Sequence, residues 1–150
     1  MSTTTTRSAE ETAILELVDG YQDAIRSADV ERIASHYAPD ILAFDAIAQL
    51  QFKGVDAYKK HWEACMAMCA SEGMTFELHE PSIAVNGDVA FGHWLCRCGP
   101  GPDKSGKEQT GWMRGTLGFR KTDGKWTIVH EHWSAPFDPE TSKAMFDLTP

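Results

Sequence analysis

Tyr37-Ala-Pro-Asp-Ile-Leu-Ala-Phe-Asp45 is the stretch on which the fold turns. Its second half is apolar at most positions, which predicts a strand over Ile41 to Ala46, and that strand is interrupted by one carboxylate, Asp45. Upstream, Pro39 closes a short helix that Asp29 caps and that runs through Val30, Ile33, Ala34 and Tyr37, because the proline ring cannot continue the helical pattern. Before it, Ile14, Leu17, Val18, Tyr21 and Ile25 recur at helical spacing between Glu10 and Ser27, so a first helix buries one stripe. Downstream, a short segment around Leu50 to Lys53 precedes Gly54, which leads into a third helix with the stripe Val55, Tyr58, Trp62, Cys65 and Cys69.

Behind Gly73 the pattern changes to long strands with turn signals. Met74 to Val85 reads as a strand kinked at Pro81, since proline cannot donate to a ladder. Asn86-Gly87-Asp88 reads as a tight hairpin turn into Val89 to Cys98. Gly99-Pro-Gly-Pro-Asp-Lys-Ser-Gly106 is a loop, Lys107 to Lys121 a strand, Thr122-Asp-Gly124 a turn, and Lys125 to Pro136 the last strand. Helices gathered ahead of an antiparallel meander predict an α+β fold with the helices on one curved face.

The chain has 150 residues, which suits one domain over residues 9–150 behind a flexible tail over residues 1–8. Its 22 acidic and 14 basic residues leave a formal charge of -8, which repels both a phosphate backbone and an anionic bilayer. No nucleic-acid partner and no membrane partner are expected. Met1-Ser-Thr-Thr-Thr-Thr-Arg7 lacks the apolar run of a signal peptide, so a soluble cytoplasmic protein is the default expectation.

Tyr21 and Asp45 are the two groups that a small pocket would need to move a proton on an apolar substrate. The phenol can hydrogen-bond a developing oxyanion and the carboxylate can take the proton. Tyr21 reads equally as a core tyrosine bonded to a neighbour. Asp45 can also face solvent, cap the segment after it, or pair with an arginine, but a carboxylate in an apolar strand costs desolvation unless it is paired or working.

In the last strand, alternation puts Trp126, Ile128, His130, His132 and Ser134 on one face, and Thr127, Val129, Glu131 and Trp133 on the other. In the strand before it, Trp112, Arg114 and Thr116 share a face expected to line the pocket, with Trp112 a ligand contact, opposite Gly111, Met113, Gly115 and Leu117. Arg114 then reads as a partner for Asp45, which would lower the acid's pKa and spoil it as a base, or as a clamp for a carboxylate or carbonyl ligand. Trp62 and Trp94 read as apolar pocket walls or as core. The pairs Cys65/Cys69 and Cys96/Cys98 lack the spacing of a structural zinc knuckle, and the helical pair reads as small hydrophobes on a buried stripe. No phosphate loop or nucleophile elbow occurs, so neither a cofactor nor a metal is implied.

The order of elements, the Tyr37 to Asp45 segment and the closing Gly124-Lys-Trp-Thr-Ile-Val-His-Glu-His-Trp-Ser134 resemble the SnoaL-like, ketosteroid-isomerase-like branch of the NTF2-like superfamily over roughly residues 9–138. The resemblance implies a conical fold with a blind pocket between helices and sheet, commonly dimerising through the opposite side. It places Asp45 where the steroid isomerases keep their general base and Tyr21 where they keep the donating phenol. Thr116 falls near their third member, a carboxylic acid held neutral, and a threonine hydroxyl donates more weakly. It also puts Trp133 in the cavity, against simple alternation, and a bulge near Glu131 would reconcile the two. His132 and Trp133 are then both expected near the pocket, with His130 a hydrogen-bonded sheet residue or a ligand contact.

Two functions follow as expectations. One is a cofactor-independent isomerase, cyclase, dehydratase or hydrolase acting on a small apolar, polyketide- or steroid-like molecule through Asp45, Tyr21, Thr116 and His132. The other is a non-catalytic binding or assembly module. A homodimer through the sheet is expected, with Met113, Leu117 and Phe119 on its outer side.

Overall fold

The computed structural model describes residues 6–69 and 74–150. Residues 1–5 of the expected tail, and Gly73 at the expected boundary, lie outside the described residues. Helix α1 (Ala9–Arg26) begins where the Ser8 hydroxyl accepts the Glu11 N–H at 3.1 Å, and it buries Ile14, Val18, Tyr21, Ala24 and Ile25. Helix α2 (Val30–Ser35) is capped by Asp29, which accepts the Arg32 N–H at 3.1 Å. It ends earlier than expected, because Tyr37 already pairs with the sheet.

Strand β1 (Tyr37–Phe44) therefore contains Pro39 instead of following it. The proline sits where the register of β1 slips between Tyr37 and Leu42, so its missing N–H falls outside the paired positions. Asp45 lies just past the end of β1, not within it. Strand β2 (Phe52–Lys53) folds back on β1, and Gly54, at φ 89°, leads into helix α3 (Val55–Met66). Cys69 falls beyond that helix, on a turn whose N–H reaches the Met66 carbonyl at 3.1 Å.

The meander follows as β3 (Thr75–Asn86), β4 (Val89–Gly99), β5 (Gly111–Thr122) and β6 (Lys125–Ser134). The expected kink at Pro81 is a register shift between His79 and Ser82 on an edge strand. The six strands run in the order β2-β1-β6-β5-β4-β3, antiparallel throughout except for the parallel pair β1 and β6. The result is an α+β cone in which three helices rest on a curved, unclosed mixed sheet. No helix among the described residues is long and apolar enough to cross a membrane.

Two features of the sheet set the site. First, β6 carries one extra residue: Gly118 pairs with His130 and Phe119 with Ile128, leaving Val129 bulged. Trp126 and Ile128 face inward before the bulge, and Glu131 and Trp133 face inward after it. Second, the faces of β5 are the reverse of the expected ones. Leu117 and Phe119 are core, while Arg114 and Thr116 are exposed. Phe119 and Leu117 carry the apolar area, and Gly115 leaves room for two indoles on the same face, so burial favours that side. Met113 packs against the same core, so none of the three expected dimer residues lies on the outer face.

Candidate functional site

At the centre of the cone is Glu131, fully buried on β6. Its hydrogen-bond partners come from α1, α3 and its own strand. Tyr21 of α1 donates to Oε1, and Trp133 Nε1 donates to Oε2 at 2.9 Å. The Tyr58 hydroxyl of α3 lies 2.8 Å from Oε2. Around these, Tyr37 of β1 lies 3.0 Å from the Tyr21 hydroxyl and accepts the Trp62 indole N–H at 2.9 Å. Tyr58 and Trp62 meet this cluster together because they stand one helical turn apart on the buried stripe of α3.

The electrostatics follow from burial. Loss of water raises the Glu131 carboxyl from 4.5 to about 7, against the opposing pull of the hydrogen bonds from Tyr21, Tyr58 and Trp133. Burial first, then the Glu131 charge, pushes Tyr21, Tyr37 and Tyr58 well above 10, so all three phenols remain protonated.

Asp45 is the outer end of this network. Its Oδ2 lies 2.8 Å from the Tyr58 hydroxyl, its Oδ1 accepts the Ile47 N–H at 3.1 Å, and His61 Nε2 stands 3.4 Å from Oδ1. The imidazole is held flat against Phe52, with ring centroids 4.3 Å apart. Asp45 and His61 border an apolar cavity of about 590 Å³, whose walls include Trp62, Phe76, Met113 and Trp133. That volume fits a drug-sized molecule, and the few polar groups on a mostly apolar wall, Asp45 and His61 with Gln109 and Thr110, are enough to orient it.

The expected site residues thus divide. Asp45, Trp62 and Trp133 line the cavity. Tyr21 is connected to Asp45 only through Glu131 and Tyr58, and it does not reach the cavity wall. Trp94 is buried behind Trp133 at a centroid distance of 6.3 Å, and its indole N–H has no partner among the described residues. The remaining five are corrections as pocket residues: the faces of β5 are the reverse of those expected for Trp112, Arg114 and Thr116, and the bulge at Val129 turns His130 and His132 outward, His130 taking its other expected part as a hydrogen-bonded sheet residue. Thr116, Arg114 and His132 are exposed on the outer side of the sheet. Trp112 lies there edge-on to His79 at 5.6 Å, and His130 donates from Nδ1 to the Leu42 carbonyl at 2.6 Å. Among the described residues Asp45 forms no ion pair with Arg114.

Sequence reasoning missed Glu131, Tyr37, Tyr58 and His61. The available signal was the bulge near Glu131, which turns an acid inward, together with the Tyr58 stripe. The four cysteines are free thiols, and Cys65, Cys69 and Cys98 border the cavity. Burial raises the Cys65 and Cys69 thiols. No group of three or more side chains placed to hold a metal ion occurs among the described residues.

The profile of the family described as SnoaL-like domain matches residues 14–138. Among solved structures, an NTF2-like protein of unknown function from Pseudomonas putida KT2440 is similar at 51% identity, covering 96% of this chain and 99% of that one, with a TM-score of 0.88. A candidate dehydratase of the NTF2-like family from Streptomyces avermitilis shares the fold at 19% identity, 89% and 100% coverage and a TM-score of 0.74. The association domain of C. elegans CaMKII does so at 18% identity, 85% and 96% coverage and a TM-score of 0.71. No curated protein matches the chain. A profile match over most of its length, and a relative sharing half its residues, make this chain a member of the SnoaL-like domain family within the NTF2-like superfamily.

Proposed function

We propose that this protein is a cofactor-independent acid-base enzyme of the isomerase, cyclase, dehydratase or hydrolase type, acting on a small apolar cyclic molecule. The observation that carries the reading is Asp45, a carboxylate bordering a mostly apolar cavity with His61 beside it. An apolar wall strengthens every electrostatic contact inside it, and one acid beside one imidazole supplies a base and a second proton carrier. In this reading Asp45 takes the proton, Tyr58 steadies Asp45, and His61 takes the part expected of His132. Trp62 and Trp133 grip the flat body of the ligand. Tyr21 acts behind the cavity by holding Glu131.

Turnover of a β,γ-unsaturated ketone by wild type and Asp45→Asn tests the assignment. A drop in kcat of roughly 10²- to 10⁴-fold in the variant is expected, and equal rates in the two proteins would remove Asp45 as the base.

A homodimer through the outer sheet face belongs to the same proposal. Val89 and Phe91, each 52% exposed on β4, support it in place of the inward-facing residues expected earlier.

A further inference from the structure

The Tyr58 hydroxyl stands 2.8 Å from Asp45 Oδ2 and 2.8 Å from Glu131 Oε2. A phenol has one hydrogen, so it can donate to only one of them. With both carboxylates ionised, the other contact would set two lone-pair-bearing oxygens against each other in a buried site, which costs free energy instead of contributing it. A second hydrogen must therefore sit on one of the two acids.

We propose that Asp45 and Glu131 hold one proton between them through the Tyr58 hydroxyl, making Glu131 the buried end of a proton relay whose cavity end is Asp45. The proposal rests on the reading of Asp45 as the group that meets the ligand.

The surroundings decide where the proton rests. Asp45 accepts the Ile47 N–H, faces the cavity and has His61 beside it. Glu131 is fully enclosed and has no cation paired with it among the described residues. It is faced by Tyr21 from α1, Tyr37 from β1, Tyr58 from α3, Leu117 from β5 across the ladder, and Trp133 on its own strand. None of these groups supplies positive charge. A neutral carboxyl satisfies every contact: Oε1 accepts from Tyr21, while Oε2 accepts from Trp133 and donates its own hydrogen to the Tyr58 oxygen. Tyr58 then donates to Asp45, which remains ionised and ready to act as a base.

The relay needs no outside reagent. The proton on Glu131 Oε2 passes to the Tyr58 oxygen as the phenol's own hydrogen passes to Asp45 Oδ2, and the negative charge moves from Asp45 to Glu131. Asp45 thereby becomes an acid without drawing on water in the cavity, so one residue can give and take protons at the same ligand. Glu131 is a positioning and proton-storing residue, since it does not itself border the cavity.

Infrared titration of ligand-free protein in heavy water tests this, because a protonated carboxyl has a carbonyl stretch that an ionised carboxylate lacks. The expected result is a protonated-acid band that persists above the ordinary carboxylate range, disappears in Glu131→Gln, and shifts its midpoint down by about one pH unit or more in Asp45→Asn, where the neighbouring charge is gone. Should Glu131→Gln fail to fold, carboxyl-13C glutamate in the wild-type protein assigns the band to glutamate by its isotope shift. A band that is absent, or whose midpoint is the same in Asp45→Asn, overturns the shared proton, and a band that belongs to an aspartate overturns Glu131 as the acid that stores it. The titration does not depend on turnover. A band with all the expected properties and no ketone turnover supports the relay and removes the reaction class, whereas turnover without the band does the reverse.

Discussion

Glu131 is a fully buried acid with no cation paired to it among the described residues. A carboxyl raised from 4.5 to about 7 is protonated in the fold over a range where the unfolded chain has released its proton. Its stabilising contribution is therefore complete below pH 4.5 and is lost as pH rises towards about 7, a loss on the order of 3 kcal/mol. Urea unfolding of wild type and Glu131→Gln across that interval checks it. Wild type should lose stability relative to the variant by that amount, and parallel curves would show that Glu131 does not retain its proton in the fold. Tyr58→Phe removes the hydroxyl shared by both acids, leaving Asp45 short of a donor and the Glu131 carboxyl hydrogen short of an acceptor. It should cost about 1–3 kcal/mol of unfolding free energy in the same assay, and an unchanged midpoint would contradict the bridging geometry.

At the scale of elements, β6 works as a site-bearing strand because of one extra residue, Val129. Before it the inward positions are apolar; after it they are Glu131 and Trp133. Gly115, opposite Trp133, is the matching device on β5: a Cβ there would stand 2.5 Å from Trp133 Cζ3 and 2.7 Å from Trp94 Nε1. Both neighbours are rigid indoles, so Gly115→Ala should destabilise by about 1–3 kcal/mol and disturb tryptophan fluorescence. A variant as stable as wild type would mean that the two rings can move apart. These elements also explain how far the sequence could be read. Helical stripes, Gly-marked turns and the Pro81 kink are local signals, and they led to the three helices and five of the six strands in the right order, while the two-residue β2 was read only as a short segment. Alternation leaves open which side of a strand is inside, and in β5 small residues on the inner face disguised the choice, which misplaced Arg114 and Thr116. The bulge was legible only as a conflict between alternation and family resemblance. Glu131 was hidden because a charged residue in a strand reads as outward-facing unless its buried partners, Tyr21 of α1 and Tyr58 of α3, are known.

On the scale of the whole molecule, the cone separates an inner surface from an outer one. The inner one encloses the cavity of about 590 Å³, and the outer one presents Phe91 beside His93 at a centroid distance of 6.4 Å. If the outer face joins two copies, Phe91→Glu should shift sedimentation towards monomer while leaving ligand binding in the cavity unchanged, and a wild type that already sediments as a monomer would rule the dimer out. The inner surface is tested most directly by the crystal structure of the protein grown with an apolar cyclic ketone. The expected result is ligand density between Trp62 and Trp133 with its reacting carbon or oxygen within hydrogen-bond reach of Asp45. A ligand bound away from Asp45, or a cavity left empty beside a ligand bound elsewhere, would contradict the proposed chemistry.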